Sequence, residues 1–224
     1  MLLVTYIVEL KKVVKNYNAL RVLDGVDFCV GSGEFIVIRG RSGVGKTTLL
    51  NIMGLLDKPD DGRILFDGLD VTDLDEDRRA EIRLRSIGFV FQFFNLIPEL
   101  NVLENVMLPL LLLGFGRVEA ERKALDVLRE LGLGDLVYRG LGELSGGQLQ
   151  RVAIARALVK NPKIILADEP FAHLDDYNRG VVEELFVRIV KDYGIPVVIA
   201  TTDFEWKPKY YSRIGVLERG VLRF

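Results

Sequence analysis

The chain has one cysteine, one histidine and one tryptophan in 224 residues. A lone Cys29 excludes a disulfide framework and a cysteine-based zinc cluster. A lone His173 excludes a metal centre built from several histidines. No charge of one sign dominates. Thirty Lys and Arg stand against 32 Asp and Glu, a formal net charge of -2. Binding of nucleic acid by bulk charge is therefore not expected. Long hydrophobic runs are also missing. The most apolar stretch, 106–115, is interrupted by Pro109 and falls well short of the roughly 18 residues a membrane-crossing helix needs. The stretch 1–9 carries no basic region and no small-residue cleavage site, so no secretory signal is expected. The expectation is a soluble, cytoplasmic chain that meets a membrane only through a partner protein. With 49% hydrophobic and 28% charged residues, disorder is excluded as the main state. One domain with a sizeable core and room for an inserted subdomain is expected.

Alternation and short apolar runs predict strands over 8–14, 26–30, 34–39, 63–66 and 87–91. Helices are predicted over 47–56 and 76–85. From 93 to 160 the period is helical, with helices over 101–113, 119–131 and 149–160. Strand and helix signals then alternate: 163–167, 177–193, 196–201 and a closing pair, 213–217 and 221–224. Such alternation predicts an α/β fold around a parallel sheet, with the middle helical block as an insertion.

Gly40-Arg41-Ser42-Gly43-Val44-Gly45-Lys46-Thr47 fits G-x-x-x-x-G-K-[ST] between a predicted strand and a predicted helix. The glycines let backbone N–H groups wrap phosphates. Lys46 brings charge to the β and γ groups, and the helix start adds its dipole. Thr47 offers a hydroxyl to Mg²⁺. Ile164-Ile165-Leu166-Ala167-Asp168-Glu169 is an apolar strand ending in two carboxylates. Asp168 reads as the metal-side acid and Glu169 as the general base. Leu144-Ser145-Gly146-Gly147-Gln148 opens another helix and makes a second anion-binding start. One nucleotide has one γ-phosphate, yet there are two such starts. A two-fold dimer resolves this, each nucleotide lying between Lys46 of one chain and Ser145 of the other.

With these motifs in this order, the whole chain resembles the ATP-binding-cassette ATPases, the nucleotide-binding subunits of ABC transporters. Gly40 to Thr48 looks like the Walker A segment, with Thr48 closing it. Ser145, Gly146, Gly147 and Gln148 look like the signature, and Asp168 and Glu169 like Walker B with the catalytic glutamate. Gln92 looks like the Q-loop glutamine, which in the family touches Mg²⁺ and links to the helical subdomain. Tyr17 looks like the aromatic that stacks on adenine, and Leu174-Asp175 like the D-loop. Phe89 to Pro98 and Leu103 to Leu110 are similar to the branch serving lipoprotein release, macrolide export and bacterial cell division.

The resemblance implies a P-loop NTPase (RecA-like) fold, a mostly parallel sheet with an N-terminal antiparallel β subdomain and an inserted α-helical subdomain. It implies one nucleotide-binding domain over 1–224, with 1–92 and 161–224 as catalytic core and 93–160 as the helical subdomain. ATP and Mg²⁺ are the implied cofactors. A homodimer or a pair with a related subunit, and a transmembrane permease subunit, are the implied partners. The implied place is the inner face of the cell membrane.

Two departures stand out. After Asp168-Glu169-Pro170, the run Phe171-Ala172-His173 stands where the branch usually has Thr-Gly and a small or amide residue before Leu174-Asp175. His173 reads as a polar D-loop residue at the dimer interface rather than a displaced catalytic histidine. After the strand ending at Thr201, Thr202 holds the place of the family's γ-phosphate-contacting histidine, and the segment Phe204 to Tyr211 that follows is less like the family's usual short helix. Hydrolysis would then rest on Glu169, Lys46, Gln92 and Thr202. The rival reading is an ATP-gated dimerising module with little turnover. A soluble cassette of DNA repair or translation fits less well, because those usually carry long insertions or a second cassette. Cys29 is expected in the core. Residues 108–115 are expected to pack in the helical block or face a partner. The acidic stretch 72–81 is expected to be a solvated helix face, beside a groove that in such subunits can receive a transporter's coupling helix.

Overall fold

Alternating burial along residues 6–31 builds a long hairpin. The structure, a computed structural model, describes residues 6–224. Strands β1 (Tyr6–Tyr17) and β2 (Leu20–Gly31) pair antiparallel and outrun the expected 8–14 and 26–30. The added length passes through irregular register. Lys12 sits at φ 50°, its N–H donates to Asp27 Oδ1 at 3.0 Å, and the pairing shifts on both sides of Val13. A bulge absorbs a residue and lets a strand continue past broken alternation.

Strand β3 (Phe35–Arg39) runs into helix α1 (Lys46–Met53). Strand β4 (Asp61–Phe66) pairs with β1, and the two-residue β5 (Leu69–Asp70) adds an edge. The first sheet is therefore ordered β2-β1-β4-β5. Helix α2 (Glu76–Ser86) is capped by Asp75 and carries acids in its first turn and arginines in its last, complementing its dipole. Strand β6 (Ile87–Val90) follows. Helices α3 (Val102–Leu112), α4 (Arg117–Glu130) and α5 (Gly146–Leu158) come next, with only 3-10 turns between α4 and α5. Strand β7 (Ile164–Asp168), helix α6 (Asp176–Tyr193), strand β8 (Val197–Thr201) and the hairpin β9 (Arg213–Glu218) and β10 (Val221–Arg223) complete the chain. The second sheet is ordered β10-β9-β3-β8-β7-β6 and is parallel except at that hairpin. The α/β class, with its antiparallel N-terminal sheet and helical middle, is as expected.

The central strands feed two cores with alternate residues. Phe35, Val37, Ile165, Ala167, Val197 and Ile199 pack with the helices α3 to α6. Ile36, Ile38, Ile164, Leu166, Val198 and Ala200 pack with α1 and the antiparallel sheet. Burial on both faces is why these strands read as unbroken apolar runs. Since β3, β6, β7 and β8 are parallel, the residues after their C-terminal ends gather at one rim. Parallel sheets present their ligand crevices there.

Cys29 departs from its expected place. It is only half-buried, beside a shallow cavity with Tyr6, Arg213 and Phe224, because its neighbours Phe28 and Val30 take the buried face of β2. Within 106–115, Val106, Met107 and Leu110 are core while Leu111 and Leu112 are exposed. Among the described residues, no helix is long and apolar enough to cross a membrane.

Candidate active site

The loop from Gly40 to Gly45 joins β3 to α1. It needs glycine where the backbone turns hardest. Gly45 caps α1 at φ 112°, and a Cβ there would meet Val22 Cγ1 at 2.6 Å. The Lys46 side chain is buried and folds back over the loop. Its ammonium donates to the carbonyls of Gly40 at 3.0 Å and Arg41 at 3.2 Å, and stands 3.5 Å from Glu169 Oε1.

Opposite lies the end of β7. Thr47 Oγ1 donates to Asp168 Oδ2 at 2.6 Å. Burial pushes the Asp168 carboxyl up; the Thr47 hydrogen bond opposes this, and the neighbouring Glu169 charge adds to it. Glu169 adopts φ 45°, an unusual left-handed backbone for a residue with a side chain. Its N–H donates to the Ala200 carbonyl at 2.9 Å. Asp168 Oδ1 and Glu169 Oε1 are buried and have no hydrogen-bond partner among the described residues. Unpaired buried acceptors are costly. Two of them beside a buried ammonium and a free helix start suit a bound cation and a phosphate.

These groups face one cavity of about 520 Å³, lined by Arg41, Ser42, Gly43, Lys46, Thr47, Gln92, Asp168, Glu169, Thr202 and Phe204, among others. Gln92 arrives from the end of β6. The turn after it is held by Arg156 of α5, whose guanidinium donates to the Phe94 and Asn95 carbonyls at 2.9 and 2.6 Å. Thr202 arrives from the end of β8. Tyr17, Gly43, Gly45, Lys46, Thr47 and Thr48 line a second cavity of about 280 Å³, which shares Gly43, Lys46 and Thr47 with the first. The half-exposed Tyr17 ring is fixed there, its hydroxyl donating to Asp57 Oδ2 at 2.6 Å. Val44 turns inward against Gly40.

The other predicted residues form a separate constellation. Ser145 caps α5 and forms a capping box with Gln148: Ser145 Oγ accepts from the Gln148 N–H, and Gln148 Oε1 accepts from the Ser145 N–H at 2.8 Å. Asp175 caps α6 and accepts from the Asn178 N–H at 2.7 Å, which holds its carboxyl below the usual range. Asn178 is wedged against Gly147, where a Cβ would meet its Oδ1 at 2.1 Å. At Gly146 a Cβ would lie 3.3 Å from the His173 carbonyl. Gly146 and Gly147 thus make room for the His173 carbonyl and for the Asn178 side chain of α6, which is a packing role. None of Ser145, Gly146, Gly147, Gln148 and Asp175 lines the Lys46 cavity. The His173 ring packs beside Phe93 at 5.3 Å.

Sequence reasoning missed Thr201, which donates to Glu169, and Phe204, which lines the cavity. It also missed that its two departures, Phe171 and the segment after Thr202, touch: Phe171 and Trp206 lie 4.7 Å apart. A bulky aromatic in place of a small residue, together with the lone tryptophan, was the available signal.

The ABC transporter family profile matches residues 23–172. A lipoprotein-releasing system ATP-binding protein LolD of Porphyromonas gingivalis is 45% identical over 197 residues, covering 88% of this chain and 90% of that protein. A macrolide export ATP-binding/permease protein MacB of Syntrophobacter fumaroxidans is 43% identical over 88% of this chain, which spans 28% of that longer protein. Among solved structures, the dimeric post-hydrolysis state of the ATP-binding cassette MJ0796 bound to ADP and Pi superposes with a TM-score of 0.88 at 41% identity, covering 97% of each chain.

Proposed function

The chain belongs to the ABC transporter family, and on that premise we propose that it is an ATP-hydrolysing motor subunit working as a head-to-tail dimer around two Mg-ATP. One observation carries this reading: Lys46, Thr47, Asp168, Glu169 and Gln92 line a single cavity, while Ser145 and its glycines are not among the residues that line it. The catalytic core is assigned to 1–92 and 161–224, and the helical subdomain to 93–160.

In the proposed reaction, ATP is the substrate and its phosphates lie along the loop from Gly40 to Thr48. The Lys46 ammonium exchanges its carbonyl partners for β- and γ-phosphate oxygens. Thr47, Asp168 and Gln92 would hold Mg²⁺, which when bound spreads the negative charge of those oxygens. Glu169 accepts a proton from the water that attacks the γ-phosphorus. The bond to the β–γ bridging oxygen breaks, leaving ADP and phosphate. Tyr17 offers its ring to the base, and Ser145 of a second protomer supplies neutral donors to the γ-phosphate. Closure and reopening of the dimer would move the attached membrane subunit.

A groove of about 370 Å³ supports a permease partner. Leu84, Phe89, Phe91, Leu108, Pro109 and Leu112 line it, with Arg83, Arg156 and Lys160 alongside. The similarity to LolD and MacB favours the branch of lipoprotein release and macrolide export, at the inner face of a membrane. A second reading, an ATP-gated module with little turnover, rests on Thr202, whose side chain is too short to hold both the γ-phosphate and the water.

Steady-state phosphate release decides between the two. Losing one such contact typically costs about 10²- to 10³-fold in rate. The proposal expects measurable turnover in the wild type, at least about tenfold more in Thr202→His, and none in Glu169→Gln with or without that change. Wild-type turnover of several per second with no gain in Thr202→His would leave Thr202 without a role.

A further inference from the structure

The Glu169 carboxylate is fixed by a chain of contacts that runs back through both unusual segments. Thr201, buried at the end of β8, donates its hydroxyl to Glu169 Oε2 at 3.1 Å. The direction of that bond is forced. The Asp203 N–H can only donate, and it does so to the same Thr201 Oγ1 at 3.1 Å. The hydroxyl accepts there through one lone pair, and because the ionised carboxylate can only accept, the hydroxyl's single hydrogen goes to Glu169.

Asp203 is itself anchored. Its Oδ1 accepts the N–H groups of Glu205 and Trp206 at 2.9 and 2.8 Å, closing the loop on itself. Its Oδ2 accepts from Arg179 Nη2 at 2.7 Å. Burial alone would raise the Asp203 carboxyl, but the Arg179 hydrogen bond and the backbone donors carry it below the usual range. The Arg179 guanidinium lies 5.6 Å over the Phe171 ring and 5.7 Å over that of Trp206. Those two rings meet edge to face at 4.7 Å. Trp206 is buried, its indole N–H donates to Glu183 Oε2 at 3.3 Å, and its carbonyl accepts from Arg39. Phe171 lies two residues beyond Glu169. The stack therefore ties down the chain on both sides of the carboxylate: the turn after β7 and the loop after β8. A left-handed backbone at Glu169 persists only where its surroundings over-determine it.

We propose that Thr201 is a positioning residue for Glu169, and that the Arg179–Asp203 pair, seated on Phe171 and Trp206, holds the Thr201 hydroxyl in its donating orientation. The proposal rests on Glu169 being the general base. Thr201→Val keeps the shape and removes the hydrogen. One hydrogen bond to a charged group corresponds to a loss of about 10- to 100-fold in the rate constant. Binding of Mg-ATP should be unchanged, because Thr201 acts behind the carboxylate. Thr201→Ser should restore the wild-type rate to within about twofold, and Arg179→Lys, which keeps the charge but not the planar stack, should lose less than Thr201→Val.

Single-turnover phosphate release reads slow and fast rates alike, and calorimetric Mg-ATP titration and thermal melting accompany it for each variant. The expected result is a rate loss in Thr201→Val with unchanged affinity, rescue by Thr201→Ser, and no further rate loss when Thr201→Val is added to Glu169→Gln. A wild-type rate in Thr201→Val overturns the proposal. So does an equal fold-loss with and without Glu169→Gln, or a failure of Thr201→Ser to recover, since either marks a general structural effect. A wild-type rate in Glu169→Gln alone would instead overturn the assignment of the base.

Discussion

The chain has two helix starts suited to phosphate, and they are built in opposite ways. At α1 the electrostatics are unresolved. A buried ammonium turns back on loop carbonyls, and two buried carboxylate oxygens have no hydrogen-bond partner among the described residues. At α5 the capping box closes on itself. The Ser145 oxygen accepts from Gln148, which leaves the hydroxyl hydrogen and the first N–H groups of the helix to give outward. The first site holds charge in excess of what the protein itself can neutralise. The second holds neutral donors and is complete without a ligand. The first suits a metal and a polyphosphate. The second suits the last contact to an anion that something else already holds.

Three kinds of change would break or sharpen this contrast, and Lys46→Ala should have the largest effect. Without the ammonium, the phosphates lose their central counter-charge. Charge-assisted hydrogen bonds contribute about 1.5–3 kcal/mol each, so calorimetric titration should show affinity falling by about a hundredfold or more. Wild-type affinity would refute the assignment of the first site.

Changes at the second helix start should behave differently. Glu169→Gln removes the base and one negative charge beside the γ-phosphate, so it should hold an ATP-dependent dimer in gel filtration; adding Ser145→Arg should abolish that dimer while leaving monomer ATP binding intact. A dimer that forms regardless would separate Ser145 from the interface. Gly147→Ala tests packing instead. The added methyl would collide with Asn178, and such overpacking typically costs about 1–3 kcal/mol, or about 2–4 °C of melting temperature per kcal/mol in a chain of this size. Gly146→Ala, with only the His173 carbonyl at 3.3 Å, should lose less.

The smallest effect expected is a gain. Asp168 is raised in the folded state by burial above its ordinary carboxylate value. Its contribution to stability is therefore present at low pH and lost as pH rises through that raised value. At neutral pH the ionised group costs the nucleotide-free protein stability. Asp168→Asn should melt a few degrees higher without nucleotide and lose the extra stabilisation that Mg-ATP provides. A lower melting temperature would place the strain elsewhere.

Much of the fold and the site is legible in the sequence. Gly40 to Thr47 announces its loop because the turn and the close approach to an anion demand those residue types. The strand ending in Asp168 and Glu169 reads clearly because a buried apolar strand does not end in two adjacent acids unless something binds their charge. The bulged strand β1 was read too short, because a bulge breaks the alternation from which strands are inferred. Cys29 is half-buried although its residue type suggests the core, because its face on β2 is fixed by register.

Local chemistry by itself determined the phosphate loop, the acid pair and the capping boxes, each written within a few consecutive residues. Tertiary structure alone decided what those pieces touch. Thr201 and Glu169 stand 32 positions apart, and Phe171 and Trp206 stand 35 apart; parallel strands β7 and β8 bring both pairs together at one rim. The glycines of the second helix start read as an anion site from their neighbours in sequence. Their second constraint, the Asn178 side chain pressed on Gly147, comes from α6. Such contacts leave no local pattern, because the partner is supplied by the fold and not by the adjoining chain.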